Sequence, residues 1–449
     1  MNVKDNNHKY RQLREQYSFF EYQSYSFSLI DGDLEASFVF NLSDKVTFKP
    51  KIRIPARSIF CYGSVTEDDI KNFVFHMGMV ELVSYWKATC SPKVIISPHS
   101  LDNYQVSWWK KLYFHGLGEF FYLNDIHVDM DNFMHISSHG EKVSKSEIAL
   151  ENNKVLVPIG GGKDSIVTLE LLNKSKIEVI PLIVNPREAS IRTINIAGFE
   201  ENESVIIHRT IDPQLLDLNT RGFLNGHTPF SAMLAFVGAF SCLVTGVSNI
   251  ALSNESSANE STVPGSKINH QYSKTFEFEN DFNEYIRKYL HKDINYFSFL
   301  RPINELQIAK LFSKFEKHYD SFRSCNVGSK VDSWCGQCSK CMFTYIILSP
   351  FIERNRLIEI FGKDMAQDVS LADIMDELTG ISPVKPFECV GTPEEVVAAL
   401  SKYISLETLD KNIDLAIGRD KFHRLINDYN NENLVPKEFD SILKNELND

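Results

Sequence analysis

The feature that most constrains this chain is a glycine-rich turn between an apolar run and an amphipathic segment. The apolar run is Val155–Ile159, and helical periodicity extends from the end of the turn to about Asn173. A strand, a tight turn and a helix in this order direct several backbone N–H groups and the positive end of the helix dipole toward one point. The pattern predicts an anion-binding turn formed by Gly160, Gly161, Gly162, Lys163, Asp164 and Ser165.

Further apolar runs extend this unit into an α/β fold. Val179–Val184 and Val205–Ile207 alternate with helical patterns, which is typical of a parallel sheet with covered faces. The first 60 residues instead show β-like alternation around Asp31–Asp33, which predicts a hairpin, and the chain after residue 350 is mainly helical. We predict an N-terminal α+β domain over 1–148, a parallel-sheet α/β domain over 149–349 and a helical C-terminal region over 350–449.

The glycine turn matches neither of two common nucleotide-binding loops. A Walker A loop requires glycine where Val157 stands and a hydroxyl residue where Asp164 stands. A dinucleotide-binding fingerprint requires glycine in place of Ser165. A glycine turn without any function is the remaining structural alternative.

The turn resembles the loop of the ATP pyrophosphatases, or PP-loop, which usually reads Ser-Gly-Gly-x-Asp-Ser. Gly160 stands here in place of the first serine. The resemblance implies a PP-loop domain that cleaves ATP between its α- and β-phosphates to give AMP and pyrophosphate. It also implies that the loop holds pyrophosphate and that Asp164 lies near Mg²⁺.

One basic residue follows the second apolar run. Arg187 lies in an Asn-Pro-Arg turn at the carboxyl end of that run, where open α/β sheets bind their ligands. We predict that Arg187 contacts adenosine or a carboxylate, and an ordinary surface turn is an equal alternative.

Four of the eight cysteines crowd into one short segment. Cys325, Cys335, Cys338 and Cys341 have the spacing of a tetrahedral zinc site. Four thiolates close the coordination shell, which indicates structural Zn²⁺, and an iron–sulfur cluster is the alternative. A similar tail of cysteines occurs in 7-cyano-7-deazaguanine synthase, another ATP pyrophosphatase. Because the remaining cysteines are scattered, the chain suits a reducing compartment such as the cytoplasm.

A dense polar segment follows a buried strand-like run, which is a common place for a ligand site. Asn254, Glu255, Asn259 and Glu260 are its predicted substrate-binding residues, although each taken alone reads as a solvated loop residue. His227, just before a long apolar helix, is a further candidate.

The overall charge and one apolar segment bear on partners. The net charge of −12 disfavours nucleic acid, whose phosphates are bound by clustered Lys and Arg. The N-terminus is polar and lacks the apolar core of a signal peptide. Phe230–Val247 contains no charge, but several Ser, Thr and Gly residues dilute it. We predict a helix buried against a sheet rather than a membrane span.

These features together resemble one family, the UDP-N-acetylmuramoyl-L-alanyl-L-glutamate epimerases of the bacterial cell wall. The resemblance rests on four segments, 157–165, 253–274, 335–341 and 385–392. It implies an isomerase that uses ATP and Mg²⁺ to invert the terminal L-glutamate of a nucleotide-sugar peptide. The candidates for the base at the α-carbon are His270, Lys274 and Cys389, and Asp164 and Lys163 are the expected catalytic residues of the turn.

The chemistry of the implied reaction is coherent. Removing the proton from a glutamate α-carbon would place a second negative charge next to the carboxylate anion. Adenylation neutralises that carboxylate and so removes this obstacle. Amidation or thiolation by another PP-loop enzyme is the main rival, and a nucleotide sensor with an inactive loop is a non-enzymatic alternative.

Overall fold

The computed structural model describes residues 3–58, 65–403 and 415–448. These residues form eleven strands and sixteen α-helices. The strands are β1 (Phe19–Ile30), β2 (Asp33–Leu42), β3 (Val46–Phe48), β4 (Lys51–Ile54), β5 (Lys93–Ile96), β6 (His135–Ser138), β7 (Glu151–Pro158), β8 (Glu178–Val184), β9 (Val205–Thr210), β10 (Val247–Leu252) and β11 (Asn295–Ser298). The helices are α1 (Asn7–Gln16), α2 (Glu67–Trp86), α3 (Asn103–Gly116), α4 (Gly118–Leu123), α5 (Lys163–Asn173), α6 (Glu188–Ile196), α7 (Pro213–Thr220), α8 (Phe230–Thr245), α9 (Phe276–Tyr289), α10 (Glu305–Ser313), α11 (Ser339–Leu348), α12 (Arg354–Phe361), α13 (Ala372–Thr379), α14 (Pro393–Tyr403), α15 (Leu415–Leu425) and α16 (Lys437–Asn448).

The mixed α/β class predicted from the sequence is confirmed. The hairpin forms where expected, because Asp31 and Gly32 have φ of 52° and 86° and so supply the left-handed turn between β1 and β2. The runs predicted as strands around the glycine turn are β7 and β8, and the helix between them is α5. The C-terminal region is helical from α12 onward.

Two compact units divide the chain, and their segments alternate along it. Unit 1 comprises 1–152, 205–250 and 267–296, and unit 2 comprises 153–204, 251–266 and 297–449. The linear domain boundaries at 148 and 349 remain predictions. The alternation means that residues close in sequence can belong to different units.

Unit 1 is built on a mixed sheet. Its strands run in the order β9, β4, β2, β1, β5, β6, with β3 also paired to β2. Neighbours from β9 to β1 are antiparallel, whereas β1, β5 and β6 are parallel. Buried aromatic side chains fill the space between α2, α3, α8 and α9, among them Trp109, Phe236 and Tyr285.

The apolar segment that begins at Phe230 forms α8, which is buried along nearly its whole length. It ends at Gly246, whose φ of 75° suits a helix C-cap. In the described part of the chain, no helix is both long and apolar enough to cross a membrane.

Unit 2 contains the glycine turn. β7 and β8 are parallel, with Val157 opposite Pro181, and α5 lies between them in sequence. A large apolar core joins these elements to α10, α11 and α14. Thr392 caps α14, because its hydroxyl and the Glu395 carboxylate form a reciprocal capping box.

The glycines of the turn differ in what they require. Gly161 has φ of +81°, and a Cβ there would lie 2.8–2.9 Å from atoms of Ala189 and Ser190. Gly160 has no heavy atom within 4 Å of its Cβ position. Gly162 is the N-cap of α5, and its carbonyl accepts the Ile166 N–H at 3.2 Å. Only Gly161 therefore combines left-handed backbone with close backbone contact.

Replacing these two glycines by alanine tests the geometry. Gly161→Ala should lower the unfolding midpoint in urea, because the left-handed conformation alone costs a side chain about 1–2 kcal/mol. Gly160→Ala, the matched control, should change it little, because its Cβ meets open space. Equal midpoints for the two variants would contradict the described turn.

Candidate functional site

The lysine of the glycine turn is buried between two carboxylates. The side chain of Lys163 is 2% exposed, and its ammonium contacts the carboxylates of Asp164 and Glu305. Burial alone would lower the pKa of Lys163, but the two carboxylates outweigh burial and raise it. Lys163 thus directs its charge into unit 2, toward α10.

Glu305 links this pair to the C-terminal helices. Burial raises the pKa of Glu305, although the Lys163 ammonium acts in the opposite direction. The backbone N–H of Glu305 donates to Glu395 Oε1 at 2.8 Å, and the other Glu395 oxygen accepts from Thr392. The start of α5, the start of α10 and the start of α14 are therefore joined through buried carboxylates.

Arg187 lies beside the glycine turn. Its guanidinium donates to the carbonyl of Gly160 at 2.8 Å. Asp332 accepts the backbone N–H groups of Glu188 and Ala189 at the start of α6. The structure thus brings Arg187 and the glycine turn together, and open space at Gly160 would admit the serine hydroxyl usual in the PP-loop.

The four clustered cysteines converge. The Sγ–Sγ distances are 3.8 Å for Cys325–Cys338, 3.7 Å for Cys335–Cys341 and 3.5 Å for Cys338–Cys341. Tetrahedral zinc with Zn–S of about 2.3 Å requires sulfurs about 3.8 Å apart. Backbone N–H groups of Gly328 and Gln337 donate to two of the sulfurs. The four residues fit a zinc ion, and the described cysteines form no disulfide.

The polar segment after β10 is divided between the units. Asn254 donates to Ser298 Oγ at 3.0 Å, and the carbonyl of Glu255 accepts from buried Arg301 at 2.6 Å. Asn259 and Glu260 are exposed, and Glu260 forms an ion pair with Lys385. These contacts lie within unit 2, whereas residues 267–296 belong to unit 1.

Cys389 is half-buried. Its carbonyl accepts a hydrogen bond from the ammonium of Lys340, in the first turn of α11. Burial raises the pKa of the Cys242 thiol in α8, which makes that thiol inert.

Unit 1 contains a second group of polar side chains, formed by Glu119, His227 and His270. His270 Nδ1 lies 2.5 Å from Glu119 Oε2, and His227 Nδ1 lies 3.7 Å from the same oxygen. The two imidazole centroids are 4.4 Å apart. Sequence reasoning found both histidines and missed Glu119, which sits in an aromatic-rich helix without any local motif.

Burial and nearby positive charges keep His227 neutral, and the lysines among those charges disfavour a metal ion at this group. Its three ligand atoms lie within 4.8 Å of one another, which a metal ion would allow. Burial lowers the pKa of His227 to about 3, and the charges of His270, Lys87 and Lys274 act in the same direction. The ammonium groups of Lys87 and Lys274 would repel a divalent cation. A carboxylate that accepts Nδ1–H fixes the tautomer and orientation of an imidazole base.

Lys274, the other base candidate in unit 1, lies four residues beyond His270. Its ammonium is 3.4 Å from Gln271 Oε1, at the edge of hydrogen-bonding distance. The structure thus places His227, His270 and Lys274 in one unit, and Asn254, Glu255, Asn259, Glu260 and Cys389 in the other.

Two family models match the chain and cover most of it. The model described as the MurL N-terminal domain matches residues 11–299, and that described as the MurL C-terminal domain matches residues 321–423.

Three curated relatives share the name UDP-N-acetyl-alpha-D-muramoyl-L-alanyl-L-glutamate epimerase. The relative from Xanthomonas oryzae is 32% identical over 76% of each chain. That from Salinispora tropica is 33% identical over 85% of this chain and 84% of its own. That from Micromonospora is 34% identical over 71% of this chain and 72% of its own. The chain therefore belongs to the family of the UDP-N-acetyl-alpha-D-muramoyl-L-alanyl-L-glutamate epimerases.

Proposed function

We propose that this protein is an ATP-dependent epimerase that acts in peptidoglycan precursor synthesis. It inverts the terminal L-glutamate of UDP-N-acetylmuramoyl-L-alanyl-L-glutamate to D-glutamate and converts ATP to AMP and pyrophosphate. The names of the relatives support the substrate and the isomerase class. The observation that carries the ATP requirement is the turn at 160–165, where left-handed Gly161 precedes the start of α5.

The reaction proceeds in three balanced steps. A carboxylate oxygen of the terminal glutamate attacks the α-phosphorus of ATP, and pyrophosphate leaves. A base then removes the α-hydrogen, and a proton returns to the opposite face of the carbon. Water finally hydrolyses the acyl-adenylate to the D-glutamate product and AMP. Adenylation lowers the barrier because the carbonyl of the mixed anhydride accepts the charge of the carbanion.

The residues of a PP-loop domain in unit 2 hold the nucleotide in this proposal. Backbone N–H groups at the start of α5 face the pyrophosphate, since the first four N–H groups of a helix lack intrahelical partners. Arg187 contributes a positive charge, and Ser165 a hydroxyl. Mg²⁺ bound beside Asp164 would neutralise charge on the leaving pyrophosphate. Lys163 acts from inside the unit, by fixing the position of Asp164.

His270 is the base that the contacts support best. Its Nδ1–H donates to the buried carboxylate of Glu119, so the opposite nitrogen, Nε2, takes the proton. Glu119 is a positioning residue in this proposal. Lys274 and Cys389 remain the other candidates. Asn254, Glu255, Asn259, Glu260 and His227 are proposed to bind the substrate.

The cysteine cluster has a structural role in the proposal. Zn²⁺ held by Cys325, Cys335, Cys338 and Cys341 would fix the segment before α11 without an open coordination position. A reduced cluster of this kind suits the cytoplasm, which stays our prediction for the location. The rival function, amidation or thiolation by a PP-loop enzyme, would also release AMP and pyrophosphate.

The proposed function is tested by following the α-hydrogen. The full chain, incubated in D₂O with substrate, ATP and Mg²⁺, should release pyrophosphate and place deuterium at the glutamate α-carbon. Omitting ATP should stop both events, and Asp164→Asn should slow both by at least about 100-fold, the scale for losing one transition-state charge partner. Asp320→Asn, an exposed carboxylate paired with Arg356 in the same unit, is the control. Pyrophosphate release without deuterium would leave the rival standing.

The role of Glu119 is tested by separating adenylation from proton transfer. Glu119→Gln should slow α-hydrogen exchange by about 100-fold or more, the usual contribution of an oriented general base. It should leave ATP–pyrophosphate exchange close to the wild-type rate, because that step needs no base at carbon. Glu277→Gln, an exposed carboxylate of the same unit, serves as the control. Loss of both rates together would indicate a structural role instead.

The zinc site is tested by metal content. We expect about one zinc per chain and no visible absorption, with Cys338→Ser giving zinc-free, insoluble protein. Structural zinc contributes roughly 10–16 kcal/mol of folding free energy, which explains the severity. Cys242→Ala should keep its zinc, because that thiol is buried in α8 and is not one of the four clustered cysteines. Iron with visible absorption would favour an iron–sulfur cluster.

A further inference from the structure

Unit 1 encloses a cavity that the proposed chemistry does not use. Its volume is about 610 Å³, which lies within the range of about 300–1,000 Å³ typical of small-molecule sites. α3 and α4 form much of its wall, together with the loop after α4 and the segment at Lys267. Aromatic side chains of α3 and α4 therefore line a space rather than only a core.

The walls combine flat apolar faces with a few polar groups. Phe114 and Phe121 have ring centroids 6.1 Å apart, and the partly buried Tyr122 also lines the cavity. Aromatic faces of this kind stack on planar rings such as nucleobases, whichever base is offered.

The polar groups of the lining match the remaining parts of a nucleotide. Lys267 is exposed and supplies an ammonium for phosphate oxygens. Asp125 can accept hydrogen bonds from an imide N–H or a ribose hydroxyl, and it lies 3.1 Å from His127. Burial lowers the pKa of His115, so its imidazole is neutral at pH 7 and can donate to a base carbonyl.

We propose that this cavity binds the uridine diphosphate end of the substrate. The inference rests on the proposed function, because that function requires a long substrate whose nucleotide lies far from the reacting glutamate. Binding energy gathered at a remote group holds the reacting carboxylate in place. A second ATP site is disfavoured, since the anion-binding turn belongs to unit 2. The aromatic walls, one cation and few hydrogen-bonding groups together fit a pyrimidine with a diphosphate.

The inference is tested by titrating the full chain with UDP in the absence of ATP. UDP should bind, and Lys267→Glu should weaken binding at least tenfold. Lys292→Glu, the same change at another exposed lysine of unit 1, should leave it unchanged. Gly118→Leu should also abolish binding. A Cβ at Gly118 meets Ile268 only at 3.7 Å, so the added side chain fills the cavity without a backbone clash.

The outcomes separate this inference from the proposed function. No binding of UDP, binding that neither cavity variant weakens, or equal competition by ATP would overturn the inference. Ordinary ATP-dependent deuterium exchange beside such a result would leave the epimerase standing. Conversely, UDP bound in the cavity by a protein that never exchanges the α-hydrogen would support the site and reject the epimerase.

Discussion

Unit 2 is organised around one buried ammonium group. Taking a lysine side chain out of water costs several kcal/mol unless carboxylates compensate it, so Lys163 requires Asp164 and Glu305 where they stand. The backbone N–H of Glu305 in turn donates a hydrogen bond to Glu395, whose carboxylate also caps α14. The positive charge of Lys163 is thus balanced inside the unit by these carboxylates. In the proposed function, binding at the turn is therefore left to backbone amides, the helix dipole and Arg187.

The sequence predicts those features whose signal is local. A hairpin turn, a glycine turn after an apolar run and closely spaced cysteines are each contained in a few neighbouring residues. Glu305 and Glu119 could not be found this way, because they lie 142 and 151 residues from Lys163 and His270. The position of Lys163 in the glycine turn suggests a phosphate ligand. Its burial becomes apparent only from its contact with the distant Glu305. The alternation of the two units along the chain could not be predicted for the same reason, because local sequence patterns do not show which distant segments pack together.

The two units carry different chemistry. Unit 2 holds groups suited to anions and thiophilic metal, namely the turn and the cysteine cluster. Unit 1 holds a carboxylate–imidazole pair and an aromatic cavity, in a setting where burial, helped by nearby positive charges, lowers the pKa of His227 and keeps it neutral. Activation of a carboxylate and removal of a proton make opposite demands on local charge, because one gathers anions and the other needs a basic nitrogen. In the proposed function, groups of unit 2 serve the first demand and groups of unit 1 the second.

The alternation of segments has a consequence for synthesis on the ribosome. β7 and α5 emerge early, but the helices that cover them in unit 2, beginning with α10, follow more than a hundred residues later. At a synthesis rate of about 5–20 residues per second, the apolar faces of β7 and α5 stay uncovered for on the order of ten seconds before these helices are made. The last segment of unit 1 emerges within that interval. For the same reason, no single cleavage of the polypeptide would separate the two units from each other.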